Sequence, residues 1–258
     1  MERITDDIFR ITLPYKDIYT SVLLMQTRRG WALFDLATTE EDVTERIIPF
    51  LKEAEVPEEK LRYVFLSHTH RDHAGGLDAF LQRFPNVGVI CGNKNLKEEK
   101  NLKKYLYPSD GELFMDSLQV FHVPGHTADS IVVLDIRTKT LITGDSLQLY
   151  GIFGSGKWAA NIGFAAEHLA AVEKIRALGA ERITAAHDFH PYGDFAEGKE
   201  AVEKYLDACG EALARVKTLI EENPALSDEE IAEAFSDGGA LPKMGPRVPA
   251  AVRKAMEA

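Results

Sequence analysis

The stretch Ser67-His68-Thr69-His70-Arg71-Asp72-His73 carries three histidines and one aspartate within six residues. Four such side chains on one turn repel when protonated and lose hydration when packed. A divalent cation removes both problems, because it takes neutral imidazole and ionised carboxylate as ligands at roughly 2.0–2.2 Å. A plain polar turn is the alternative, and the residue types favour the metal. The apolar run Arg62-Tyr63-Val64-Phe65-Leu66 before it reads as a buried strand, and Leu77, Phe80 and Leu81 after it share a helical spacing. The polar cluster therefore sits on a tight turn at the C-terminal end of a strand, where open α/β sheets place their ligand crevice.

Such a turn needs partners from elsewhere in the chain. Gly125-His126-Thr127 follows a predicted strand at 118–123, Gly144-Asp145-Ser146 follows one at 140–143, and His187 follows one at 182–186. Loops converging from the ends of different strands are how such scaffolds collect ligands.

The elements that must position these loops run in a clear order. Strands are expected at 8–13, 21–25 and 31–34, followed by a helix opened by a capping box of Thr38 and Glu41. Val43, Ile47, Ile48 and Leu51 form its apolar face. After the histidine turn come a short strand at 87–90 and a charged surface helix from Asn93 to Lys104. Strands at 118–123, 131–134 and 140–143 make a meander, ahead of a helix at 164–178 whose Leu169, Val172 and Ile175 share a face. This order suits two packed sheets with outer helices better than one doubly wound sheet. From about residue 195 the chain turns helical, with Val202, Leu206, Cys209, Leu213, Val216 and Ile220 on one stripe. Ser227 and Glu230 form a second capping box, and Pro242, Pro246 and Pro249 precede a short final helix. The expected division is a catalytic domain over 1–194 and a helical C-terminal extension over 195–258.

Composition sets outer limits. The 258 residues suffice for a sizeable core, and 45% hydrophobic with 28% charged residues is ordinary for a globular chain. A net charge of −11 weighs against nucleic acid and anionic membrane as partners. There is no apolar run of membrane-spanning length, and Met1-Glu2-Arg3-Ile4-Thr5-Asp6-Asp7 lacks a signal peptide's apolar core, so the cytoplasm is expected. Cys91 and Cys209 form no CxxC pattern, and Cys209 reads as a buried helical thiol. His122, in a strand, and His168, on a helix, read as structural.

Taken together, His68-x-His70-x-Asp72-His73, Gly125-His126-Thr127, Gly144-Asp145 and the distal His187 resemble the metallo-β-lactamase-fold superfamily, over roughly residues 5–190. The resemblance implies an α/β fold in four layers, an αββα sandwich of two mixed β-sheets with outer helices. It implies that His68, His70 and His126 hold one metal, that Asp72, His73 and His187 hold a second, and that Asp145 bridges them. His190, three residues beyond His187, competes for the distal place. Asp35 matches an aspartate common at this strand end and would orient a ligand histidine; a strand-terminal turn residue is the alternative. His70 stands where flavodiiron-type relatives have Glu, which favours hydrolysis. Asp145 stands where zinc β-lactamases have Cys or Ser, which points to the broader hydrolase branch. Ala128-Asp129-Ser130 departs from the Pro-Gly-Ser/His of many relatives.

The activity so implied is a dinuclear hydrolase in which a metal-bridging hydroxide attacks a small acyl substrate, such as a thioester or lactone. Asp72 would serve as both ligand and general acid/base. Zinc is expected in both places, with iron and manganese as alternatives for His/Asp ligands. A ribonuclease or phosphodiesterase is one competing reading, because Leu226–Phe235 resembles the helical tail of lactamase-like endoribonucleases; the acidic balance weighs against it. A mononuclear iron sulfur dioxygenase, using only the three-histidine site, is another. The segment 147–161 mixes glycines with Tyr150, Phe153, Lys157 and Trp158, and is either a substrate wall or a loop buried under the C-terminal helices. With His187 in the distal place, His190 would line the pocket or cap the loop.

Overall fold

Alternation along the central strands decides which layer each side chain joins. In β3 (Ile18–Thr27), Leu23 and Met25 belong to the core between two sheets, whereas Val22 and Leu24 belong to the core under the outer helices. β5 (Leu61–Leu66) repeats this with Phe65 inward and Val64 and Leu66 outward. β10 (Ile131–Asp135) does so in the opposite sheet, with Ile131 and Val133 inward and Val132 and Leu134 outward. Strands buried on both faces read in sequence as continuous apolar runs, as these do.

This computed structural model describes residues 1–152, 158–236 and 242–257. Its first sheet runs in sequence order through β1 (Glu2–Arg3), β2 (Ile8–Tyr15), β3, β4 (Gly30–Phe34), β5, β6 (Gly88–Cys91) and β7 (Tyr105–Leu106). The β1–β4 pairings are antiparallel, and those from β4 to β7 are parallel. The second sheet uses β8 (Glu112–Phe114), β9 (Leu118–His122), β10, β11 (Thr140–Gly144), β12 (Gly151–Ile152), β13 (Trp158–Ala159), β14 (Arg182–His190) and β15 (Gly193–Glu197). Its order is β13-β12-β14-β11-β10-β9-β8, with β15 beside β14. Both sheets are mixed, since β11 and β14 pair in parallel.

Helices cover the outer faces, giving the four layers expected. On the first sheet lie α1 (Glu40–Asp42) with its continuation α2 (Ile48–Glu53), α3 (Arg71–Ala74), α4 (Leu77–Arg83) and α5 (Leu96–Glu99). On the second lie α6 (Ala165–Ala177) and α7 (Lys199–Ala208). The last helices, α8 (Glu211–Glu222), α9 (Asp228–Phe235) and α10 (Arg247–Met256), share a separate apolar cluster with Ala159, Ala160 and Ile162. Among the described residues no helix is long and apolar enough to cross a membrane.

Several local expectations are corrected. The first capping box is Thr39 with Asp42, one residue later than Thr38 and Glu41: Thr39 Oγ1 accepts from Asp42 N at 3.1 Å, and Asp42 Oδ2 accepts from Thr39 N at 2.9 Å. Within Asn93–Lys104 only Leu96–Glu99 is helical, because Leu96 and Leu102 are both drawn into the outer core. Leu169 is 46% exposed, since the buried face of α6 is Ala165, His168, Val172 and Ile175. The apolar stripe from Val202 to Ile220 is broken at Gly210. Its first half packs on the second sheet and its second half joins the α8–α10 cluster. Cys91 and Cys209 are buried free thiols.

Candidate metal centre

The first set of candidate ligands is His68, His70 and His126, whose donor atoms fall within 4.8 Å of one another. His126 Nε2 stands 3.2 Å from His68 Nε2 and 3.0 Å from His70 Nδ1. Ligand atoms of a tetrahedral site with bonds near 2.05 Å are separated by about 3.3 Å, so this spacing fits a single ion. Burial pushes His126 down to about 4, with His70 adding to it and Asp145 opposing. Burial also holds His68 well below the usual imidazole range, and lowers His70. Neutral imidazole is the form that binds metal.

The second set is Asp72, His73, Asp145 and His187, all buried. His187 Nε2 lies 3.4 Å from Asp72 Oδ2 and 3.2 Å from Asp145 Oδ1, and His73 Nε2 lies 3.5 Å from a carboxylate oxygen of each. Asp145 Oδ2 is also 3.6 Å from His126 Nε2, so this carboxylate faces both sets. Burial works against charge on Asp145, but His187 and His73 outweigh it and hold the carboxyl well below its usual range. Burial likewise opposes the charge on His187, and the two carboxylates overcome it, raising His187 to about 9. Among the described residues, neither His73 Nε2 nor Asp145 Oδ1, both buried, has a hydrogen bond of good geometry despite these close contacts. Buried polar atoms are seldom left so, and a cation among these four groups would satisfy both.

Neighbouring groups fix the presented nitrogens. His73 Nδ1 donates to Asp35 Oδ2 at 2.7 Å, His126 Nδ1 to the Asn161 carbonyl at 2.5 Å, and His187 Nδ1 to the Tyr19 carbonyl at 2.5 Å. In each neutral ring Nε2 is thereby the lone pair that faces inward, the arrangement that orients metal-binding histidines, and a cation would take the place of the Nε2 proton that the carboxylates favour on His73 and His187. Asp35 is fully buried at the end of β4 and also accepts from Ser67 N and Ser67 Oγ at 2.7 and 2.8 Å. It thus ties the strand before the histidine turn to the turn itself. Gly144 lets the Asp145 turn approach: its φ is +54°, and a Cβ there would lie 2.5 Å from Ser67 Cβ. The residues after His126 also have a place, since Thr127 Oγ1 pairs with Ser130 Oγ at 2.7 Å and Asp129 accepts from Thr69 Oγ1 at 2.8 Å.

Other expected positions divide. His187 is not in a loop after its strand; β14 continues to His190 because its end pairs with β12. His190 is outside both ligand sets, with its ring against Tyr150 at 6.0 Å. Tyr150 packs towards Phe235 at 5.2 Å and is outside the cleft over the metal sets. Trp158 lines that cleft, whose volume is about 420 Å³. Lys157 and Phe153 lie outside the described residues. His122 and His168 have structural contacts, to the Pro108 and Cys209 carbonyls at 2.7 and 3.1 Å.

Sequence reasoning missed the groups that frame the cleft. Lys16, Arg71 and Lys243 line it beside Ile18 and Ile152. Gln148 stitches its floor, donating to the Asp145 carbonyl and accepting from Asn161 N, both at 2.9 Å. Lys16 sits on the two-residue turn between β2 and β3, with its ammonium 5.4 Å from the Trp158 ring centroid. No spacing rule links such residues to a histidine turn.

The fold and its paired His/Asp sets define a metallo-β-lactamase-type protein. The family model for the metallo-beta-lactamase superfamily matches residues 15–187, and the chain belongs to that superfamily. It is 30% identical over 148 residues to a hydroxyacylglutathione hydrolase of Nostoc sp., covering 55% of this chain and 56% of that one. It is 37% identical over 110 residues to a probable hydroxyacylglutathione hydrolase of Schizosaccharomyces pombe, covering 40% of each. An uncharacterized Bacillus subtilis protein is 32% identical over 123 residues, 38% of this chain and 53% of that one. The chain thus spans about half the length of these curated relatives. A metallo-beta-lactamase family protein from Thermus thermophilus shares the fold with a TM-score of 0.69 at 17% identity, over 99% of this chain and 93% of that one. The DIM-1 metallo-beta-lactamase does so with a TM-score of 0.61 at 18% identity, over 82% and 96%.

Proposed function

We propose that this chain is a two-metal hydrolase of small acyl compounds, with a thioester as the preferred class. The observation that carries the reading is Asp145, whose carboxylate lies 3.6 Å from a nitrogen of the first set and 3.2 Å from one of the second. Zinc is the proposed ion in both places, on the His/Asp donor set. Two such ions supply a nucleophile from water near neutral pH and polarise the acyl oxygen.

The chain's own groups do the rest. Asp35, Asn161 and Tyr19 keep His73, His126 and His187 in the tautomer that points Nε2 inward. Asp72 engages His187 and His73 through Oδ2, and its ionised carboxylate is suited to take a proton from the attacking water and return it to the leaving thiolate. Lys16, Arg71 and Lys243 around the cleft favour an anionic acyl compound in an otherwise acidic chain. Hydroxyacylglutathione hydrolases among the relatives support the thioester class. Residues 1–194 would form the catalytic unit, and 195–258 the wall that contributes Lys243. The buried free thiols support a cytoplasmic setting.

The test is metal analysis of protein purified without added metal, followed by assay against thioester, lactone, phosphodiester and β-lactam substrates. Two ions per chain and chelator-sensitive thioester cleavage are expected. One ion per chain under metal excess, or a preference for phosphodiesters, would overturn the reading.

A further inference from the structure

Outside the ligand sets, a partly buried polar chain joins the two sheets and ends at one candidate ligand. Arg10 on β2 is 5% exposed, and pairs with Asp194 on β15 at 2.9 Å and with Glu2 on β1 at 2.7 Å. Asp194 Oδ2 also accepts from the Tyr19 hydroxyl of β3 at 2.5 Å. The carbonyl of Tyr19 in turn receives His187 Nδ1. Residues 10 and 19 belong to the first sheet and 187 and 194 to the second, so the chain of contacts straps one sheet to the other.

His187 needs such a brace. The ladder between β14 and β11 ends at Ala185, and the register between β14 and β15 shifts between Thr184 and Phe189. His187 lies inside that irregular stretch, where regular sheet pairing does not fix the ring. Tyr19 is available because the β4 ladder covers β3 only from Leu23 to Thr27. Asp194 is in turn held by an arginine that cannot be buried without carboxylate partners. Burial together with Asp194 holds the Tyr19 phenol far above its usual range, so it stays a donor. The first ligand set has a different brace, since His126 leans on Asn161.

We infer that Tyr19, locked by Asp194 and Arg10, is a positioning residue for His187, and that this strap sets the affinity of the second metal site without touching the first. The inference rests on the two-metal reading. It extends that reading to residues that coordinate nothing, and it makes the contact between the sheets part of the metal centre.

Cobalt(II) titration of metal-stripped protein, followed by calorimetry and by cobalt absorption, provides the test. Loss of a group that orients a metal ligand typically costs about 10–100-fold in affinity. Tyr19→Phe, which removes one hydroxyl, should weaken the second ion by about 10-fold, and Asp194→Asn by up to about 100-fold. The first ion should bind as in wild type in both. Unchanged affinity at both sites in Tyr19→Phe would overturn the inference, and so would equal weakening of both sites, the mark of general loosening. If Asp194→Asn fails to fold, Tyr19→Phe decides alone. Uptake of one cobalt ion by the wild type would instead remove the two-metal reading, and the strap with it.

Discussion

Arg247, at the start of α10, donates from Nη2 to the backbone carbonyl of His126 at 3.0 Å. The last helix thereby grips the turn that carries His126, a candidate ligand of the first set. Gly163 makes the contact possible, for a Cβ there would lie 2.0 Å from Arg247 Nη2 and 2.5 Å from its Cζ. Gly163 N also donates to the Gly125 carbonyl at 2.9 Å, so turn, segment and helix meet at one point. Gly163→Ala should push the flexible guanidinium away from the His126 carbonyl. A partly exposed, charge-assisted hydrogen bond of this kind contributes about 1–2 kcal/mol. Urea unfolding should show that loss in Gly163→Ala and in Arg247→Met, and the double variant should lose little more than either alone. Fully additive losses would mean that the two residues act independently.

For Asp72, the proposed ligand and acid/base roles overlap. Its Oδ2 stands 3.4 Å from His187 Nε2, and Asp72→Asn keeps the shape while removing the charge and the proton-accepting oxygen. Loss of general acid/base help typically costs about 10²–10⁴-fold in rate. The expected result is a fall of that size in kcat, with the first site filled and circular dichroism unchanged. Near wild-type turnover with both sites filled would show that this carboxylate does no chemistry.

His187 and His190 are separated by the geometry of one strand. His187 Nε2 faces the carboxylates of Asp72 and Asp145, while the His190 ring faces Tyr150. His187→Ala should therefore leave one ion per chain, and His190→Ala should leave two, counted by elemental analysis after dialysis. A loss of the second ion in His190→Ala alone would reverse the assignment.

These contrasts mark what a sequence can carry. The turn from Ser67 to His73 was legible because its candidate ligands are compressed into one short stretch, and the layers were legible because strands buried on both faces read as unbroken apolar runs. Residues that act through distant partners were not. Tyr19 and Asp194 are 175 positions apart, and Arg247 and His126 are 121 apart. Nothing local marks either pair. From its own neighbours Asp35 reads as a strand-end carboxylate, and only the family resemblance gives it a histidine to orient; its three hydrogen bonds to Ser67 and His73 depend on how β4 and β5 align in parallel. The helical stripe misled for the opposite reason. Its spacing continues through Gly210, yet the chain turns there and divides the stripe between two cores.

His168 should make the fold sensitive to acid independently of the metal ligands. It is fully buried in α6, and its Nε2 donates to the Cys209 carbonyl at 3.1 Å. Burial pushes its pKa down from 6.5 to about 4, with the Cys209 carbonyl pulling weakly the other way. The unfolded chain therefore binds the proton first as pH falls. The stability tied to the neutral ring is present above about pH 6.5, is lost progressively below it, and is gone below about pH 4. A tenfold difference in proton affinity between folded and unfolded chains is worth about 1.4 kcal/mol, so a comparison of about pH 7 with about pH 4.5 should reveal an effect of about 2–3 kcal/mol. His168→Gln keeps a donor for the Cys209 carbonyl and cannot titrate. Urea unfolding of metal-stripped protein at the two pH values should show the wild type losing about 2–3 kcal/mol more than His168→Gln. Equal losses in the two proteins would mean that His168 accepts its proton within the fold as readily as outside it, and the acid sensitivity would have to come from other groups.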